Sequence, residues 1–208
     1  MSKRLRYWLA GLLSPKQRML EISILALTRY FELSAGHIRK NKIRIIEIPG
    51  FARPGDGRKI VAALRLIERL DSRRSTRIAK EIRAVVLIKC RNHVACYQRI
   101  GRLCLIDLAK LNQESQALLA KRSISPELVN HELSVPEEVR LAVLRLGAIA
   151  CFLVHESTHG MIESRQIPYL PKTKDRIESL CKDEERRFRK CPLPNLNELE
   201  TFLQPFLS

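Results

Sequence analysis

Residues 141–160 read LAVLRLGAIACFLVHESTHG. From Leu141 to Val154 the stretch is apolar on nearly all sides, interrupted only by Arg145 and Gly147, and two histidines follow at once. A helix that is apolar all round runs through a core rather than over a surface. Its start is marked upstream, where Ser134-Val135-Pro136-Glu137 sets a capping serine before a first-turn proline and an acid three residues on. From there to about Glu163 nothing breaks a helix outright, although a glycine such as Gly147 costs about 1 kcal/mol relative to alanine. The spacing predicts one long core helix with His155, Glu156 and His159 at its far end.

Downstream of that helix, residues 166–172 hold two prolines and form a loop, 173–190 resume helical spacing, and the tail from Asn197 to Phe206 is a short amphipathic helix. Upstream the period changes. RAVVLIKC (83–90), HVACYQ (93–98) and RLCLIDL (102–108) are β-branched or apolar runs split by short turn segments, which predicts an antiparallel meander of three strands. Polar residues 112–134 predict a short helix and a loop. Nearer the start, Ser14-Pro15 opens a helix, KIRIIEIP (42–49) is a strand, FARPGDGR is a loop and 58–70 is a helix. The expected class is α+β. A small antiparallel sheet packs on the long core helix, and residues 1–82, a basic and mainly helical part, run on into 83–208 as one continuous domain.

At 208 residues the chain is long enough to bury a real core. Its net charge of +16 is uneven: residues 1–83 carry 20 Lys and Arg against 7 Asp and Glu, whereas 84–208 carry 18 against 15. Such a block is either a solvated helical face or the footprint of an anionic partner, a nucleic acid or a membrane surface. Its aromatics form no stacking ladder, and no RRM, KH or zinc-finger pattern is present. The longest apolar run, Leu146–Val154, is too short for a transmembrane span. MSKRLRYWLAGLLS lacks the small-x-small site of a signal peptide. The six cysteines contain no CxxC pair, which argues against a zinc ribbon or a thioredoxin-like site. Several lie in apolar segments where a thiol acts as a small hydrophobe. A cytoplasmic location is expected.

Residues 155–159 spell H-E-x-x-H. Positions four apart lie on one helical face. His155 and His159 can therefore aim at one point, as a zinc site with Zn–N bonds of ~2.0–2.1 Å needs. Glu156 sits about 100° around the helix. It is poorly placed as a third ligand, but its carboxylate can reach a water on the ion: two ligands with a base between them. A catalytic site needs a third protein ligand. Glu163 drifts around the helix axis. Glu178 lies beyond the proline loop on the next helix, in a stripe with Cys181, Glu185 and Phe188 that can pack on the motif. Glu178 is the first choice and Glu185 the second.

HESTH followed by Glu178 resembles the gluzincin group of zinc metallopeptidases, which includes the thermolysin and aminopeptidase N families. The resemblance covers about 155–185. It implies a zincin-like fold, Zn2+ held by His155, His159 and Glu178, Glu156 as general base, and a peptide or protein substrate. The chain departs from those families around the third ligand, with R-I-E-S-L-C in place of N-E-x-x-[SA], and it lacks the G-x-M-E-N motif of aminopeptidase N. In size it is closer to small bacterial proteins described as metallopeptidases, which leaves endo- or exopeptidase action open. Tyr169 is a possible oxyanion donor, and the strands at 83–108 offer an edge for an extended peptide. Three competing readings stand beside this one. They are a basic nucleic-acid-binding module without metal, a zinc-binding homologue without activity, and a di-iron protein, which would need a second E-x-x-H that the chain lacks.

Overall fold

Asn41 (φ 50°) and Lys42 (φ 69°) turn the chain between β1 (Ile38–Lys40) and β2 (Ile43–Glu47). Two consecutive positive φ values in a two-residue loop suit the twist of an antiparallel hairpin. In the computed structural model the described residues are 38–122 apart from 92 and 100, 136–167, and 171–207 apart from 193 and 195, with isolated positions between 19 and 30. Of the helix expected after Ser14-Pro15 only those isolated positions are described, and they are helical; Tyr169 lies outside the described residues.

After β2 come α1 (Gly57–Leu70) and α2 (Ser72–Glu81), then β3 (Ala84–Leu87), β4 (Ala95–Gln98) and β5 (Leu103–Ile106). They are followed by α3 (Leu108–Arg122), α4 (Glu137–Ser164), α5 (Pro171–Arg189) and α6 (Leu196–Leu207). The class is α+β. Asp71 alone separates α1 from α2: its N–H closes the first helix on the carbonyl of Ile67, and its side chain caps the second through the N–H of Arg74 at 2.9 Å. Sequence spacing missed α2 because it is polar nearly throughout, burying only Ile78 and Glu81. Within the basic N-terminal part, β2 is the strand expected at 42–49, and β1 pairs beside it. β2 pairs with β3, so the sheet is continuous across residue 82.

The sheet is mixed, not antiparallel, and this corrects the expected meander. Its order is β1-β2-β3-β5-β4, with β2, β3 and β5 parallel and β4 antiparallel at the edge. Asp107, just past β5, shows how β5 comes to lie between β3 and β4. Its Oδ2 accepts the N–H of Cys90 at 2.9 Å, and its own N–H donates to the carbonyl of Val94 at 2.8 Å. The segment leaving β3 is thus tied across the end of β5 before β4 descends on the far side. Burial agrees, because AVVL of β3 and LCLI of β5 are buried at every position. Unbroken apolar runs are the mark of parallel strands covered on both faces.

One sheet face, with Ile45, Val85, Leu87, Cys104 and Ile106, shares the main core with the helices. α4 runs along this core, its buried positions extending from Ala142 to Ile162, and it touches α1, α2, α3, α5, α6 and β4. Several cations of the basic block are engaged within the fold: Lys40 with Glu68, Lys59 with Asp56, and Arg69 with Glu198. No described helix is long and apolar enough to cross a membrane.

Two glycines on α4 should respond oppositely to alanine. A Cβ on Gly147 would meet nothing within 4 Å, whereas one on Gly160 would lie 2.9 Å from Glu81 Cβ and 3.1 Å from the Tyr97 hydroxyl. Gly147→Ala should stabilise the protein by about 1 kcal/mol through helix propensity alone. Gly160→Ala should destabilise it by about 1–3 kcal/mol, because α4 must move away from α2 and β4. Urea denaturation of the two variants measures both, and equal midpoints would refute the packing at Gly160.

Candidate metal centre

The last turns of α4 carry His155, Glu156 and His159; the facing side of α5 carries Glu178, Cys181 and Glu185. Ile162, Ile177 and Cys181 form a small buried cluster between the two helices, and Phe188 anchors α5 in the main core. A further clamp is ionic. Arg77 of α2 donates to Glu184 at 2.9 Å, with Arg74 at 3.5 Å from the same oxygen. These contacts set the rotation of α5 about its axis, and with it what faces the histidines.

The two Nε2 atoms of His155 and His159 are 3.3 Å apart. Glu178 reaches both, Oε2 lying 3.7 Å from Nε2 of His155 and Oε1 lying 3.6 Å from Nε2 of His159. Two nitrogens bound to one tetrahedral zinc ion at ~2.05 Å stand about 3.3 Å apart, so the imidazoles are already spaced for an ion. Cys181 converges too: its Sγ and a ring nitrogen of each histidine all lie within 4.8 Å of one another, a group able to hold a metal ion. On the other side of His155, Nδ1 lies 3.4 Å from Oε2 of Glu185, whose other oxygen is held by Arg189. A carboxylate there favours a proton on Nδ1 and leaves the Nε2 lone pair facing inward.

Burial pushes the His159 imidazole down to about 4, so it is neutral near pH 7. His155 is raised: burial opposes its charge, but Glu185, Glu156 and Glu178 outweigh that. Glu156 is buried, and burial pushes its carboxyl up to about 8 against the pull of His155. The backbone of Tyr97 on β4 opposes that rise slightly, so the base candidate lies near the edge strand as well as the imidazoles. Ser157 and Thr158, the two residues inside the motif, turn their hydroxyls back onto the carbonyl of Val154 at 2.8 Å each. They satisfy themselves locally. Beyond His159, a cavity of about 380 Å³ is bordered by Tyr97, Gly160, Ser164 and the buried acid Glu81.

Of the residues singled out by sequence, His155, His159 and Glu178 come together across α4 and α5. Glu185, the second choice for third ligand, instead faces the opposite nitrogen of His155. Glu163 pairs with Arg99. Cys181 was passed over as a ligand; its signal was its position, one turn from Glu178 on the same stripe. No model of a known protein family, no curated protein and no solved structure matches the chain.

Proposed function

We propose that the chain is a zinc-dependent peptidase of gluzincin type with a zincin-like fold, in which His155, His159 and Glu178 hold the ion and Glu156 is the general base. The observation that carries this reading is the 3.3 Å separation of two inward Nε2 atoms, with one carboxylate beside both. Lone pairs so close repel unless a proton or a cation stands between them, and a neighbouring carboxylate stabilises positive charge at that point.

Bound there, zinc supplies a Lewis acid that brings the pKa of a water to ~7 and polarises a carbonyl oxygen. Glu156 takes the proton of the attacking water and passes it to the leaving amine. Glu185 holds His155 in the tautomer that presents Nε2. Among the described strands, β4 pairs only with β5. Tyr97 of β4 lies close to Glu156, so this edge strand borders the base. An extended peptide added along this edge would pass the histidines and offer a side chain to the cavity beyond them.

Purified protein should carry close to one zinc per chain. A library of unstructured peptides incubated with it should gain new termini that vanish on chelation and return with zinc. Protein that neither holds nor takes up zinc would end this reading, and zinc without cleavage would point to an inactive homologue. Affinity should also depend on pH with a definite sign. Protons compete for the ligand lone pairs, and His155 titrates above its ordinary value. Zinc affinity should therefore be highest in mild base and fall about tenfold per pH unit per displaced proton through the His155 range. Chelator competition from about pH 8 to about pH 5 measures this. A flat profile would rule out a ligand role for His155.

A further inference from the structure

Cys181 is fully buried and shares a helical face with Glu178, three residues before it. Its apolar neighbours are Ile162 and Ile177. Space-filling alone would be met there by an alanine or a valine. What space-filling does not explain is a sulfur grouped with a nitrogen of His155 and of His159 within 4.8 Å, the same two residues that Glu178 reaches from α5. Two imidazoles, a carboxylate and a thiol are four donors. Four protein donors around zinc make a closed site, whereas a hydrolytic site keeps one position open.

We propose that Cys181 is a fourth protein ligand that closes the metal centre at rest, so that water and substrate gain access only when the sulfur leaves the ion. The inference rests on the metal reading of the His155–His159 pair. When the sulfur–metal bond forms, the thiol gives its proton to solvent; when water displaces it, the sulfur takes a proton back. No oxidant or reductant is needed. Two consequences follow. A soft sulfur ligand favours zinc or cobalt over manganese or magnesium. Removing the sulfur should raise hydrolysis, because it removes a competitor of water.

The test uses the full chain loaded with Co2+, which takes zinc's place and reports its ligands by absorption. Thiolate ligation gives an intense near-ultraviolet charge-transfer band that imidazole and carboxylate do not give. The parent should show the band with one cobalt bound. Cys181→Ser and Cys181→Ala should lose the band, still bind one cobalt, and hydrolyse peptide several-fold faster than the parent when loaded with zinc. Cobalt bound to the parent without the band overturns the proposal and leaves the His155–His159–Glu178 site standing. A band that persists in Cys181→Ser also overturns it, by assigning the sulfur to another cysteine. A parent chain that binds neither cobalt nor zinc removes the metal reading and this proposal together. Cys181→Ser is close to isosteric, so it answers even where the alanine variant folds poorly.

Discussion

Glu156→Gln is expected to keep its zinc and to lose about 10²–10⁴-fold in peptide hydrolysis, the usual contribution of a positioned general base. Glutamine matches glutamate in shape and its amide oxygen can still accept a hydrogen bond, so the packing of β4 on α4 should survive. What it cannot do is take a proton from water. Burial argues in the same direction: a carboxylate only 5% exposed is held against a desolvation cost, and the neutral amide removes that cost. The variant should therefore be at least as stable as the parent while losing turnover. Metal content, denaturation midpoint and rate, measured on one preparation, separate a missing base from a damaged fold. Parent-level cleavage by Glu156→Gln would show that the base lies elsewhere.

His155→Ala and His159→Ala are expected to reduce bound zinc to a small fraction of one per chain. A structural zinc site contributes roughly 10–16 kcal/mol in total, so one imidazole of three or four ligands carries a few kcal/mol, about 10²–10³-fold in affinity or more. Each substitution also leaves Glu178 beside a single remaining imidazole. Glu185→Gln is the informative contrast. Glu185 faces Nδ1 rather than Nε2 of His155, so its loss should weaken zinc by only about 10–100-fold, as for other groups that orient a ligand without touching the ion. Equal losses in Glu185→Gln and Glu178→Gln would mean that the orienting and ligating carboxylates have been exchanged. Inductively coupled plasma analysis of dialysed protein, with chelator competition for the affinities, measures the series.

Individual elements were legible in the sequence wherever the signal was local. α4, expected from about Pro136 to Glu163, spans Glu137–Ser164, and α1, α5 and α6 begin and end within two residues of their expected positions. Apolar periodicity and proline punctuation act within a few turns of one helix, so a linear reading captures them. α2 escaped because a helix packed by two residues leaves almost no apolar period. The sheet's order escaped for a different reason. β3 and β5 are not consecutive strands yet lie side by side, and β4 is placed outside β5 by pairings between segments that no local pattern links, with two hydrogen bonds of Asp107 at the crossing.

The site divides the same way. That His155 and His159 share a face, with Glu156 turned away from it, follows from the 3.6-residue repeat alone. Which acid meets them does not. Glu178, Cys181 and Glu185 lie on one stripe of α5, and any of them could have faced the imidazoles. Their roles depend on the rotation of α5, set by Ile162 against Ile177 and by Arg74 and Arg77 on Glu184. Those contacts join residues about 15 to more than 100 positions apart. Sequence by itself determined the helices that carry an apolar period and the order of chemical groups along each. Tertiary packing alone decided which groups meet, because a helix carries its own periodicity but not its neighbour's angle.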